Sequence, residues 1–135
     1  MKGLFVDTAG WMAMADSADP AHSACCAARD EWLRGGGVLV TTDYVMDETL
    51  TLIRMRLGLN AASEWWSQVD RSARVHWEWI GPMRAEKARG WFFRWKDKSF
   101  SFTDCTSFVV MRELRRKVAL TTDHHFTQAG FQTLP

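Results

Sequence analysis

Leu4-Phe5-Val6-Asp7-Thr8 is the stretch whose reading settles the architecture. Three consecutive apolar residues are too few for a buried helix, and they end on a carboxylate. A short apolar run bounded by polar residues fits a strand covered on both faces. Thr8 to Ala15, directly after it, reads as helical. The same order returns twice: Val38-Leu39-Val40 leads into Thr41-Thr42-Asp43, and Val118-Ala119-Leu120 leads into Thr121-Thr122-Asp123. Between these strands lie helical stretches. Pro20 suits the first turn of a helix running to Arg34, where Gly35-Gly36-Gly37 stops it. A long helix spans about Tyr44 to Leu57, with Gly58 as its stop. Asn60 is placed to cap a helix carrying Trp65 and Trp66. Val75, Trp77 and Trp79 alternate with His76 and Glu78 as in a strand. Pro82 opens a helix through Trp95, Phe102 to Lys117 reads as another, and Phe131 to Leu134 as a last short strand. Strands alternating with helices imply βαβ units, a mainly parallel sheet and helices on both its faces.

The 135 residues (15.5 kDa) are enough for a single domain spanning 1–135 with a real core. The net charge is only +1, so any attraction for phosphate has to come from a local basic patch. Three cysteines, two of them adjacent, imply no disulfide framework and point to a reducing cytoplasm. The amino terminus lacks the apolar stretch of a signal peptide or a membrane span. Eight tryptophans should mostly be in the core or facing a partner, since each buries a large area.

Four acids stand in positions that call for an explanation: Asp7, Glu48, Asp104 and Asp123. In open parallel sheets the ligand site lies beyond the carboxyl ends of the strands. Asp7 and Asp123 follow apolar strands and so fall at that edge. On a helical wheel, Asp43, Asp47 and Arg54 share a polar face, whereas Glu48 falls near Tyr44, Leu52 and Met55, with Val45 close by. A carboxylate on an apolar stripe is costly unless paired, so Glu48 is either in a buried salt bridge or at a metal site. Each of the others also has a plain structural reading: Asp7 and Asp123 as helix caps, Asp104 as a first-turn acid complementing the helix dipole. Converging carboxylates repel one another and resist ionisation, and a divalent cation neutralises such a cluster. Magnesium or manganese, held by oxygen ligands, is suited to cutting a phosphodiester. Thr8 and Ser107 offer hydroxyls for hydrogen bonds behind the acids.

These residues carry a resemblance. Phe-Val-Asp-Thr-Ala-Gly-Trp (5–11), Thr-Thr-Asp-Tyr-Val-Met-Asp-Glu-Thr (41–49), Ser-Phe-Thr-Asp-Cys-Thr-Ser (101–107) and Leu-Thr-Thr-Asp-His-His-Phe (120–126) resemble PIN-domain proteins, and more narrowly the VapC-type toxins of bacterial toxin–antitoxin pairs. The resemblance spans Phe5 to Phe131. It implies a three-layer α/β/α sandwich and a metal-dependent endoribonuclease, with Asp7, Glu48, Asp104 and Asp123 as catalytic residues and ligands of Mg2+ or Mn2+. It also implies an RNA substrate, a cognate VapB-like antitoxin that covers the site, and a homodimer. Many relatives have Asn two residues after the first Asp, and here that position is Ala9, so one hydrogen bond at the site is missing. A catalytically weak PIN-fold module that binds nucleic acid or a protein partner is therefore the alternative. A phosphoryl-transfer domain would need a second acid beside Asp7, and the chain has Thr8-Ala9-Gly10 instead.

Other signals are weaker. Arg112, Arg115, Arg116 and Lys117 either hold RNA phosphates or make a cationic last turn. Arg84, Lys87, Arg89, Arg94, Lys96 and Lys98 surround Trp91, Phe92 and Trp95; the plainer reading makes these aromatics core, and the functional one makes them base-stacking platforms. His22, Cys25 and Cys26 share a helix face but lack a fourth zinc ligand. His124-His125 reads as a loop or capping pair with one ring in reach of substrate, and Cys105 as a small core residue.

Overall fold

The computed structural model describes residues 2–135. Its sheet has five parallel strands, β1 (Gly3–Val6), β2 (Val38–Thr42), β3 (Val75–Glu78), β4 (Val118–Leu120) and β5 (Gln132–Leu134), in the order β3-β2-β1-β4-β5. Leu4 stands opposite Leu39, and Phe5 is paired with both Val40 and Ala119. The central β1 and β2 are buried along their whole length, as a sheet covered on both faces requires, whereas the edge strands β3 and β5 are partly exposed. Seven helices connect them: α1 (Thr8–Ala15), α2 (His22–Arg34), α3 (Asp43–Leu57), α4 (Leu59–Arg71), α5 (Pro82–Arg94), α6 (Phe102–Glu113) and α7 (His125–Gln128). Helices α1 to α4 pack among themselves, while α5 and α7 pack on α6. Right-handed crossovers place the two groups on opposite faces, which makes the α/β/α sandwich.

Strand order reverses direction between β1 and β4, so the crevice beyond their carboxyl ends is the topological switch point. Gly10 brings the two strand ends together. A Cβ at this position would lie 2.2 Å from the Leu120 carbonyl oxygen, so only glycine lets the first turn of α1 press on the end of β4. Beneath the crevice lies one core built on Phe5, Phe108 and Phe126, with Phe108 packed on Phe126 at 5.0 Å. On the opposite face Trp11 meets Trp65 edge-on at 5.7 Å.

Several element boundaries differ from the sequence expectation. Pro20 lies in the turn before α2, which begins at His22. Asn60 sits inside α4, because Gly58, at φ +98°, ends α3 and starts α4 with no intervening loop. Helix α6 stops at Glu113, four residues before Lys117. There Arg115 takes φ +55°, the Arg116 N–H donates to the Met111 carbonyl (2.8 Å) and the Arg115 N–H to that of Arg112 (3.2 Å). This is a Schellman stop with arginine where glycine usually stands, so the usual punctuation is missing from the sequence. Only Arg112 of the four basic residues belongs to the last helical turn. Met55, placed with Glu48 on the wheel, faces solvent; the buried side of α3 is Val45, Met46, Thr49 and Ile53, with Glu48 at its border.

Candidate metal centre and active site

Asp7, Glu48, Asp104 and Asp123, drawn from four separate parts of the chain, line one cleft of about 360 Å³ at the switch point. Asp7 leaves β1 and caps α1, its Oδ1 accepting from the Gly10 N–H at 2.8 Å. Its Oδ2 accepts from the Thr121 hydroxyl at 2.7 Å, and the same Thr121 oxygen accepts the Asp123 N–H at 2.9 Å. One hydroxyl thus ties the loop after β4 to the end of β1. Despite these two hydrogen bonds, burial pushes the Asp7 carboxyl from its ordinary 3.8 up to about 7, and the negative charges of Asp123 and Asp104 push the same way.

Asp104 is on the first turn of α6 and completes a capping box: its N–H donates to the Ser101 hydroxyl, and its Oδ2 accepts the Ser101 N–H, both at 3.0 Å. Burial holds its carboxyl above the usual value; the Ser101 N–H lowers it, nearby Asp123 raises it, and His125 lowers it. The capping reading is therefore correct for Asp7, and Asp104 is the first-turn acid expected, with a capping box besides; both helix starts converge on the cleft. Asp123 caps no helix by its side chain. It bends the chain so that the His125 N–H donates to its Oδ1 at 2.9 Å.

His125 is the residue that sequence reasoning undervalued. Its Nδ1 lies 2.9 Å from Asp104 Oδ2 and 3.1 Å from Asp123 Oδ1, while Nε2 meets the Ser99 hydroxyl at 3.1 Å. The ring is a spacer between two carboxylates, backed edge-on by Phe100. The signal was present as Asp-x-His after a strand, a spacing that folds the imidazole back over the acid. Thr121 was likewise unmarked. Arg56, from the last turn of α3, and Asp19, from the turn between α1 and α2, also reach the cleft.

Glu48 faces the other three from α3. It is half-buried and, among the described residues, has no hydrogen bond or ion pair, so the salt-bridge reading does not hold. Thr8 is buried with its Oγ1 unpartnered, whereas the Ser107 hydroxyl donates to the Thr103 carbonyl at 3.1 Å. Ala9 lines the cleft and offers no side-chain donor. The donor set suits a hard divalent cation: carboxylate oxygens, an unsatisfied hydroxyl, and charges held together against desolvation. The quartet is wide, though. Among the described residues the one group of three or more whose ligand atoms all lie within 4.8 Å of one another is Asp123, His124 and His125. An ion that keeps several waters needs only one or two carboxylates in direct contact, so the width fits magnesium or manganese with water completing the shell.

The remaining candidates fall away. Burial pushes the Cys105 thiol up to about 11, the wrong direction for a nucleophile. The His22 Nδ1 is 2.9 Å from the Ala13 carbonyl, and the nearest thiol, Cys26, is 3.9 Å away, so no zinc site forms there. All three cysteines are free, and no helix among the described residues is long and apolar enough to cross a membrane.

Comparison with known proteins follows the same lines. No family model matches the chain. The 23S rRNA-specific endonuclease VapC20 of Mycobacterium tuberculosis, in strains CDC 1551 / Oshkosh and ATCC 25618 / H37Rv, is 34% identical over 128 residues, covering 95% of both chains. The crystal structure of M. tuberculosis VapC20, a sarcin–ricin loop cleaving toxin, superposes with a TM-score of 0.87 at 32% identity, over 98% of this chain and 99% of that one.

Proposed function

Because the chain belongs to the VapC family of toxin ribonucleases, we propose that it is a divalent-metal-dependent endoribonuclease that cuts ribosomal RNA within a loop; the VapC20 relatives are named for cleaving 23S rRNA and the sarcin–ricin loop. The observation that carries the metal-dependent reading is the convergence of Asp7, Glu48, Asp104 and Asp123, from four elements, on one cleft at the switch point. Held apart from solvent and raised to about 7, Asp7 is a carboxyl that gains most from a bound cation. When bound, Mg2+ or Mn2+ supplies the positive charge that activates water and offsets charge on the phosphate.

The chain's own residues do the rest. The Gly10 N–H and the Thr121 hydroxyl fix the orientation of Asp7, leaving its remaining lone pairs for the cleft. His125 keeps Asp104 and Asp123 spaced rather than collapsed or splayed. Glu48, with no protein partner, retains its full acceptor capacity for a water or an ion across the cleft. Arg56, at the rim, supplies a cation for a phosphate flanking the scissile bond. A VapB-like antitoxin covering this cleft, and pairing of two copies of the chain, belong to the same proposal. Ala9 favours the alternative of a weak or silent module, but all four acids are present.

The test is to incubate the protein with 23S rRNA and with a short hairpin carrying its sarcin–ricin loop, in chelator, Mg2+ or Mn2+. We expect a single cut that needs the divalent ion and vanishes in Asp7→Asn with unchanged circular dichroism. Cleavage that persists in chelator, or in Asp7→Asn, would overturn the metal-site reading.

A further inference from the structure

The acidic cleft repels the backbone of any RNA approaching it, so the binding energy has to come from elsewhere on the surface. Residues 83–98, which form most of α5 and the loop after it, carry six cations and two acids, a local charge of +4 in a chain whose total is +1; the rest of the molecule therefore sums to −3. Arg89, Arg94 and Lys96 are exposed and, among the described residues, make no salt bridge. The same segment exposes large rings: Phe92 is 40%, Phe93 70% and Trp95 39% accessible. Only Trp91 turns inward, onto Phe108 at 5.3 Å, so the plainer reading of these aromatics as core holds for one of the ring-bearing positions and fails for its neighbours.

These rings connect to the cleft. Phe93 meets Phe92 edge-on at 5.2 Å, Phe92 meets Phe102 at 6.0 Å, and Phe102 meets Tyr44 at 6.2 Å. Tyr44 lines a groove that shares Glu48, Leu52 and Thr103 with the acidic cleft. Phe102 follows Ser101, the cap that holds Asp104. An unbroken series of rings thus runs from the carboxylates to the basic end of α5, with Arg89 one helical turn before Phe92 and Phe93.

We propose that Tyr44, Phe102, Phe92 and Phe93, flanked by Arg89, Arg94 and Lys96, form the track on which the unpaired bases beside the scissile bond stack. This rests on the ribonuclease reading above and specifies how that RNA is held. Phe92 and Phe93 are exposed, and Tyr44 and Phe102 half-buried; accessible ring surface gives unpaired bases a place to stack whatever their sequence, and interleaved cations take the phosphates. An apolar protein partner would use the rings and leave three unpaired cations without a role, so the charge favours the polyanion.

The experiment measures binding of a fluorescently labelled hairpin with an unpaired loop to the full chain in chelator, across a salt series, alongside cleavage kinetics in Mg2+. Phe92→Ala with Phe93→Ala is expected to weaken binding about 10- to 100-fold, to raise KM by a similar factor and to leave kcat within about twofold. Arg89→Gln with Lys96→Gln is expected to lower the salt dependence of binding by about two ions, a change the ring variant does not show. All four positions are exposed, and matching melting curves verify folding; Phe93→Ala alone is the milder control. RNA binding within about twofold of wild type in the folded ring variant would overturn the proposal and leave the rings to a protein partner. Wild type that fails to bind the hairpin would overturn it too. Wild type that binds but does not cut in any divalent ion would sink the ribonuclease reading and leave this surface standing.

Discussion

The acidic cleft and the basic ridge of α5 solve opposite problems a few residues apart. In the cleft, like charges are buried or half-buried, and Asp7, Asp104 and Asp123 are braced by hydrogen bonds to Gly10, Thr121, Ser101 or His125. On the ridge, charges and rings stand in solvent with few internal partners. Desolvated charge acts strongly but needs a scaffold to hold it. Stacking and phosphate contacts act at the surface and need only exposure and approximate placement. The difference teaches that affinity and chemistry can be separated in this molecule, and that substitutions in the two regions should change different observables.

The largest expected effect is on chemistry. Asp7→Asn should lower kcat by about a thousandfold or more while leaving RNA affinity in chelator unchanged or slightly tighter, since it removes a negative charge. Single-turnover cleavage beside a binding titration checks it, and a parallel loss of affinity would break the division between the regions. Next is stability. The folded Asp7 carboxyl is raised from 3.8 to about 7, so its ionisation penalises the fold. The penalty is absent below about pH 4, grows as pH rises to about 7 and is constant above that. In metal-free buffer Asp7→Asn should therefore be more stable than wild type by on the order of 4 kcal/mol at pH 8 and indistinguishable at pH 4. Denaturant melts at the two pH values measure this, and adding Mg2+ should close the gap.

His125→Ala should lower cleavage about 10- to 100-fold. It removes a group that lowers the Asp104 carboxyl, so the acid limb of the pH–kcat/KM profile should move to higher pH; an unmoved limb would show that the imidazole is only packing. The smallest effect concerns the base of the ridge. Arg84 bridges Glu78 at 3.0 Å and Glu113 at 3.1 Å, fastening α5 to β3 and α6. Because the group is partly exposed, Arg84→Ala should cost about 1 kcal/mol in a thermal melt and leave kcat intact.

The frame was legible because its signals are local. Apolar runs of three residues specified β1, β2 and β4, Gly35 and Gly58 ended helices as expected, and the acids could be read from their positions after strands and on helices. Where the local signal was absent the reading failed. Arg115 occupies a left-handed stop without being glycine, so α6 looked longer than it is. The four residues of α7 are too few to show a period.

What the residues determined alone is the order of strands and helices and the identity of the four acids, since apolar period, caps and stops act over a handful of positions. Only the tertiary structure decided that those acids meet, that Thr121 and His125 brace them, that Glu48 stays without a partner, and that Phe92 and Phe93 face solvent instead of the core. Each of those outcomes depends on contacts between segments up to 114 residues apart. Such contacts follow from strand order and helix packing, which leave no trace in the spacing of neighbouring residues.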